Sequence, residues 1–329
     1  MKLEFSQNKM TEQQFAKLLK KEINQEKFIT IDFSYISDII ENWWIRKLNS
    51  NLSFQNLKFK LINIFLDNLK KEHIDYFSIV GFHKSNIAGV CIKNIFESDS
   101  PKLSLLVHES LSDLFNILDI KYDYEEHKTL YLKSSAEKYK NWGSGYGEIM
   151  PHADDLYEKL NVDYLSLTVC RDKTRTATKC FFPKNILRNF TDNELSQLKN
   201  IKAKFRSGKN VDIIIERERN IVEYSELYGF RFFLDFRIDD ITGTRMLSSD
   251  SQHQILLNKM TDNLKNCPFE TSQTDTGTFL IIANYKVLHA REEMKIEKNI
   301  AMKFASNSNL FNTPRLLYRS KGQRKNTNY

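Results

Sequence analysis

Apolar residues in the first part of the chain recur at intervals of three and four, the spacing of one face of an α-helix. "TEQQFAKLLKKEI" (11–23) opens with a threonine suited to capping and predicts the first such helix. "SFQNLKFKLINIFLDNLKKE" (53–72) and "SPKLSLLVHESLSDLFNILDI" (100–120) follow the same period, the second with proline in its first turn. From about residue 150 the pattern becomes strand-like. "VDYLSLTVC" (162–170), "KCFFP" (179–183), "VDIIIERE" (211–218), "YGFRFFLDFRI" (228–238) and "GTFLIIANYKVLHAR" (277–291) are rich in β-branched and aromatic residues. Two helices are expected among them, at "TDNELSQLKNIKAKF" (191–205) and "SSDSQHQILLNKMTDNLKN" (248–266). Short strands carrying large insertions predict an α+β chain with a β-sandwich or jelly-roll core and helices packed outside. The regular strand–helix alternation of a parallel sheet is absent. No repeat and no Pro/Gly/Ser-rich linker divides the chain. One domain is expected over 1–329, with a helical region at 1–130, the β-rich core at 140–320 and a basic tail at 321–329.

Composition narrows the function classes. A hydrophobic content of 41% over 329 residues is ample for a buried core. The net charge of +7 comes from 49 Lys+Arg against 42 Asp+Glu and is spread along the chain. Most of the 23 Phe stand in apolar runs such as "FRFFLDF". A nucleic-acid module would show a basic stripe interleaved with exposed aromatics, so nucleic acid is not the expected partner. Cys91, Cys170, Cys180 and Cys267 are far apart and form no CxxC. Cys170 and Cys180 fall in strand-like runs and are expected to be buried thiols of a reduced, cytoplasmic protein. No stretch reaches the roughly eighteen apolar residues of a membrane span, and "MKLEFSQNKMTEQQ" has no apolar core of a signal peptide.

Neither GxxxxGK[ST] nor GxSxG occurs. The glycines of "WGSGYGE" (142–148) are wrongly spaced for a dinucleotide fingerprint and read as a mobile loop. His73, His83, His108, His127 and His253 have no carboxylate or cysteine at ligand spacing, so they read as surface or structural residues. "GEIMPHADDLYEKL" (147–160) differs, and admits a metal site, an acid–base pair or a polar turn. Alternate residues of an extended segment share a face, so His152 and Asp154 can both reach one ion. Far downstream, His289 ends a strongly apolar run. Two histidines and one carboxylate make the facial triad of a non-haem Fe(II) site, with three coordination positions left open.

Read together, "PHADDLYEKLNVDYLSLTVCRD" and "GTFLIIANYKVLHAR" resemble the Fe(II)/2-oxoglutarate-dependent oxygenases. Within them the likeness is to the clavaminate synthase-like group, which includes hydroxylases of free arginine, lysine and asparagine. "PRLLYRS" (314–320) resembles the RWLLR ending of that group. The likeness spans about 140–320 and its motifs fall in the expected order.

The resemblance implies a double-stranded β-helix, that is, a jelly roll. It implies Fe(II) on His152, Asp154 and His289, and 2-oxoglutarate held through its distal carboxylate by Arg315. A guanidinium offers parallel donors to a carboxylate, which suits arginine to that task. Thr178, or Thr176 in a second alignment, would help hold the cosubstrate. Arg319 matches a position that takes the acidic group of the substrate. Asp235, in "FFLDFRID" (232–239), matches the first of two acids that contact the guanidinium in arginine-oxidising relatives, but Arg237 occupies the second position. That departure argues against a strongly cationic substrate. The stretch "EMKIEKNIAMKFASNSNLFN" lengthens the path from His289 to Arg315 and is expected to loop out, within an insertion at 292–312.

The implied reaction consumes O2 and 2-oxoglutarate, releases succinate and CO2, and hydroxylates an aliphatic carbon of a small amino acid or amino-acid-like molecule. Halogenating relatives have a small residue where Asp154 stands, so oxygen transfer is expected here. Desaturation or cyclisation on a carrier-bound or peptide substrate is the alternative. A non-catalytic jelly-roll sensor is the alternative of another class. The remaining polar residues have plainer readings. Asp155 is expected to face away from Asp154, because neighbours on a strand point to opposite faces. Asn284 and Tyr285 read as strand-end structure, Arg291 as a salt-bridge residue, and Trp43 and Trp44 as packing. Trp142 reads as packing or as a lining of the entrance.

Overall fold

A computed structural model describes residues 10–79, 86–123, 125, 127–134, 145–208, 214–226, 228–239, 243–272, 274–294 and 313–324. The chain begins with helix α1 (Glu12–Ile23), strand β1 (Lys27–Asp32), helices α2 (Ser34–Lys47), α3 (Phe54–Asn68) and α4 (Lys71–Ile79), and strand β2 (Ile87–Lys93). Helix α5 (Pro101–Leu114) leads into strands β3 (Ile117–Asp119), β4 (Thr129–Lys133), β5 (Ile149–His152), β6 (Tyr164–Asp172) and β7 (Thr178–Phe181). Two short helices, α6 (Pro183–Ile186) and α7 (Asp192–Gln197), precede β8 (Lys202–Arg206), β9 (Glu216–Asn220), β10 (Val222–Ser225) and β11 (Gly229–Phe232). After β12 (Ile238–Asp239), β13 (Gly243–Thr244) and β14 (Met246–Leu247) comes helix α8 (Ser251–Leu264). Strands β15 (Glu270–Thr271), β16 (Thr278–Ala283), β17 (Leu288–Arg291) and β18 (Arg315–Arg324) complete the described elements.

Two sheets face each other. The larger has seven strands in the order β1-β2-β16-β6-β18-β3, with β4 also paired to β18; the smaller runs β15-β7-β17-β5. β16 shows why its sequence is apolar throughout. Alternate side chains point to opposite faces, and here both faces are covered. Phe279 and Ile281 join the helix-side core with Leu103, Leu106 and Phe115. Leu280 and Ile282 join the core between the sheets with Cys180, Phe182 and Leu317. Helix α1 starts where expected, because Thr11 and Gln14 form a reciprocal capping box. The four cysteines are free and buried. No helix among the described residues is long and apolar enough to cross a membrane.

The structure departs from the sequence reading in several places. The first part of the chain is not only helical, since β1, β2, β3 and β4 all belong to the larger sheet. The helix expected over 100–120 stops at Leu114; Asn116 takes a left-handed φ of 56° and the chain leaves as β3. The helix expected over 191–205 stops at Gln197, and Lys202–Arg206 alternate outward and inward as strand β8. The strand expected over 211–218 begins only at Glu216, with 211–213 outside the described residues. The run 228–238 ends its first strand at Phe232, and 277–291 is two strands in different sheets. Of the expected basic tail, 321–324 lie inside β18 and 325–329 are outside the described residues. Trp142 and most of the 292–312 insertion also lie outside them.

β18 is held from the helical side by one imidazole. His108 on α5 is fully buried, and its ring nitrogens meet Thr168 Oγ1 at 2.7 Å and Ser320 Oγ at 2.9 Å. Burial pushes its pKa down from 6.5 to about 3. The folded protein therefore resists protonation that the unfolded chain accepts below pH 6.5. The stabilisation from neutral His108 is complete above that value and is lost toward pH 3, by at most about 1.4 kcal/mol per pH unit. Urea unfolding should show stability falling from pH 7 to pH 4.5, with a shallower slope in His108→Gln. Equal slopes in the two proteins would remove His108 from the acid response.

Candidate metal centre

The smaller sheet brings the two histidines together. β17 runs antiparallel between β5 and β7, and its register sets His289 opposite His152. Directly opposed residues in such a ladder have Cβ atoms about 4.5–5.5 Å apart, close enough for two rings to touch. The ring centroids are 4.1 Å apart. Asp154 lies just beyond the end of β5, with Oδ1 3.3 Å from His152 Nε2 and 3.9 Å from His289 Nε2. All three residues are buried, and one ligand atom from each falls within 4.8 Å of the others.

The protonation pattern suits a cation. His152 Nδ1 donates to the Met150 carbonyl at 2.8 Å, which fixes the ring with Nε2 turned toward Asp154 Oδ1 at 3.3 Å. Burial alone would push the Asp154 carboxyl up. The Arg319 guanidinium, the His152 hydrogen bond and both imidazoles outweigh it and hold the carboxyl well below the usual range. Burial, reinforced by His152 and opposed by Asp154, drives His289 well below the ordinary imidazole value, toward the neutral form that ligates metals. The donor set of two imidazoles and one carboxylate therefore fits a divalent transition metal such as Fe(II).

Three features hold Asp154 in place. The Ala153 N–H donates to the Leu234 carbonyl at 2.9 Å, and His152 forms a β-bridge with Asp235. Asn284 supplies the third: its Oδ1 accepts from the Asp154 N–H at 2.8 Å, and its Nδ2 donates to the carbonyls of Asp154 (3.2 Å) and Val162 (2.9 Å). The reading of Asn284 as strand-end structure missed this clamp. A fully buried amide inside "LIIANYKVL" was the available signal, because such a group requires partners. Asp155 follows in a turn at a left-handed φ of 56°, lines the same cavity as Asp154, and accepts from Lys321 Nζ at 2.7 Å. Lys321, read as tail, is buried and pairs with Glu125 as well.

A cavity of about 100 Å³ opens beside the triad, between the two sheets. Arg315, Leu317 and Arg319 line it from β18, because alternate residues of a strand share a face. Arg315 Nε donates to Asp172 Oδ2 at 3.1 Å on the neighbouring strand β6. Burial lowers the Arg315 pKa and Asp172 counters it. Across the cavity, Thr178 on β7 pairs in register with Arg291 on β17, and both line the wall. Thr176 lies off the cavity and exchanges hydrogen bonds within the turn at Thr174. Arg291 Nη2 donates to the Gly145 and Gly147 carbonyls, the latter at 2.6 Å, and so ties the described end of the glycine-rich loop to the cavity wall.

Asp235 stands behind the cavity lining and is paired with Arg237: Oδ1 accepts from Arg237 N and Nε at 3.0 and 2.9 Å, and Oδ2 from Arg237 Nη2 at 2.7 Å. Burial would raise its pKa, but Arg237 more than compensates and holds it low. Arg237 and Arg245 face the cavity instead. The sequence reading did not single out Arg245.

The fold is that of the non-haem iron oxygenases, and it bears out the expected double-stranded β-helix. OrfP, a non-haem iron oxygenase solved with Fe and alpha-ketoglutaric acid, matches with a TM-score of 0.66 at 12% identity, over 91% of this chain and 95% of that one. The complex of OrfP with Fe, succinate and (3S)-hydroxy-L-Arg matches equally, at 0.66 and 12%, over 91% and 94%. Asparagine oxygenase with Fe(II), 2S,3S-3-hydroxyasparagine and succinate gives 0.62 at 10% identity, over 90% and 93%. No protein-family model matches the chain, and no curated protein matches it in sequence.

Asn284→Ala should leave the Asp154 N–H without its buried acceptor. Each such orphaned group typically costs about 1–3 kcal/mol. Urea denaturation should show a lower midpoint at an unchanged slope. A variant as stable as the wild type would show that Asn284 does not clamp the loop.

Proposed function

We propose that the chain is an Fe(II)- and 2-oxoglutarate-dependent oxygenase, with one oxygenase domain over 1–329, that hydroxylates an aliphatic carbon of a small amino acid or amino-acid-like substrate. One observation carries the reading: His152, Asp154 and His289 converge, buried, beside a cavity whose opposite wall presents Arg315. The fold match to OrfP and asparagine oxygenase supports it. When bound, iron and 2-oxoglutarate supply the oxidising power, with O2 consumed and succinate and CO2 released. The protein contributes geometry, carboxylate recognition and a site screened from water.

In this reading His152 and His289 ligate through Nε2, with His152 oriented by its Nδ1–H bond to Met150. Asp154 supplies the carboxylate ligand and is kept ionised by Arg319. Arg315, aimed by Asp172, takes the distal carboxylate of 2-oxoglutarate, and Thr178 stands beside that position. Arg319 reaches toward the metal side of the cavity, with Nη1 3.6 Å from Asp154 Oδ2, and receives the carboxylate of the substrate.

Single alanine substitutions at His152, Asp154 or His289 should each lower Fe(II) binding in anaerobic titration and abolish succinate formation. Full succinate production by His152→Ala would refute the triad. Arg315→Ala should raise the 2-oxoglutarate requirement tenfold or more, since truncating one partner of a buried charge pair typically costs about 2–5 kcal/mol. If Arg315→Ala left that requirement unchanged and Arg291→Ala raised it, the role would pass to Arg291.

A further inference from the structure

We infer that Lys321 is a positioning residue for the metal ligand Asp154: with Glu125 behind it, its ammonium fixes the Asp154–Asp155 turn that presents the carboxylate. The inference rests on the metal-site reading above and deepens it. The backbone at Asp155 is the first support. Its φ of 56° is left-handed, a region that residues other than glycine seldom enter, although aspartate tolerates it better than most. Such a conformation persists where the surroundings impose it. Asn284 grips the Asp154 backbone on one side of the turn. On the other, the Asp155 carbonyl accepts from the Glu158 N–H at 3.0 Å. Neither bond holds the Asp155 side chain. Its Oδ2 accepts from Lys321 Nζ at 2.7 Å, and its Oδ1 from the Tyr157 hydroxyl at 3.3 Å.

The second support is the confinement of Lys321. The residue is only 2% exposed, and a buried ammonium is costly unless charges meet it. Glu125 Oε1 lies 2.5 Å from Nζ, and the Tyr122 ring centroid 4.4 Å from it. Those partners are fixed in turn. Glu125 is buried, and its Oε2 accepts from the Tyr122 N–H at 3.0 Å. The Tyr122 hydroxyl donates to the Leu160 carbonyl at 2.9 Å. The Lys321 carbonyl accepts from the Ile120 N–H at 2.9 Å, which holds the lysine backbone as well. The ammonium therefore reaches Asp155 from a rigid seat.

The third support is the period of β18. Arg315, Leu317 and Arg319 line the cavity, and Lys321 continues that face behind the lining. Arg319 Nη1 stands 3.6 Å from Asp154 Oδ2, and Lys321 Nζ 2.7 Å from Asp155 Oδ2. Two successive residues on one face of a strand thus grip two successive aspartates of one turn. Arg319 acts on the charge of the ligand carboxylate, and Lys321 on the backbone that carries it. A carboxylate already ordered when the ion arrives loses little freedom on binding it. Groups that orient a metal ligand in this way change metal affinity when they are removed, typically by about ten- to a hundredfold.

Metal binding to the full chain, without turnover, tests this. Anaerobic Fe(II) titrations and visible spectra of the Co(II)-loaded protein compare the wild type with Asp155→Gly, Asp155→Asn and the double variant Glu125→Gln/Lys321→Met. Glycine accepts a left-handed φ freely, so Asp155→Gly removes the carboxylate without straining the backbone. The double variant removes one cation and one anion, so weaker binding there does not come from a changed net charge. Both should bind Fe(II) about tenfold or more weakly and shift the Co(II) spectrum. Asp155→Asn keeps an acceptor for Lys321 and should lose less than Asp155→Gly. Urea denaturation of each variant gives its folded fraction; if the double variant does not fold, Asp155→Gly carries the comparison. A purely structural role would lower the urea midpoint and leave the Fe(II) affinity and Co(II) spectrum of the folded variants as in the wild type, and that result would overturn the inference. So would a loss in Asp155→Asn as large as in Asp155→Gly. Failure of the wild type itself to bind Fe(II) would instead sink the metal-site reading.

Discussion

The antiparallel ladder that seats β17 between β5 and β7 is the constraint on which the site depends. It sets His289 against His152 and Arg291 against Thr178 in one register. A slip by one residue would turn every one of these side chains to the other face. The register is held from within by a change of sheet. β16 lies in the larger sheet and β17 in the smaller, joined by a tight turn in which Lys286 and Val287 bond back to the Ala283 carbonyl. At the start of that turn Asn284 grips the Asp154 backbone. One short segment thus fixes the distance between the sheets, the position of a carboxylate and the orientation of an imidazole.

Buried charge is the second organising element. Taking a guanidinium out of water is costly unless a partner is fixed beside it. The described residues meet that demand locally: Arg315 with Asp172, Arg237 with Asp235, Arg319 with Asp154, and Arg291 with two backbone carbonyls. Each partner also removes rotational freedom, so the donors are aimed before any ligand arrives. That is the economy of preorganisation, in which ordering is completed on folding and not on binding.

Much of this was legible in the residues, for identifiable reasons. Arg315 and Arg319 stood out only through the resemblance of "PRLLYRS" to the RWLLR ending; the strand that carries them was not among the expected elements. His152, Asp154 and His289 stood out by residue type and by position on strand-like runs. What was missed depended on distant partners. β2 is a strand because it borders β16, and β1 because it borders β2; 27–32 alone is too short to declare it. Lys202–Arg206 alternates with period two, but it follows a capping box at Thr191 whose helical signal is stronger. Lys321 sits in a run of charges that reads as a solvated tail, and only Glu125 and Asp155, far away in sequence, make it a core residue. Asp235 was assigned by analogy to the substrate, and its pairing with the arginine two positions later was not foreseen.

β18 comes later in the chain than every strand it pairs with, yet it fills an inner slot of the larger sheet, between β6 on one side and β3 and β4 on the other. During synthesis, β6 must therefore wait with one edge of its backbone unpaired. Glu125 and Asp155 wait too, without the lysine they enclose. An open strand edge of this kind is a template for association with other chains. The nascent protein thus passes through a sticky, charge-frustrated stage that ends only when the arginine-bearing strand slots in. Closure of the sheet and arrival of Arg315 and Arg319 at the cavity are a single event, and a ribosome-bound chain that has not reached 315 has neither.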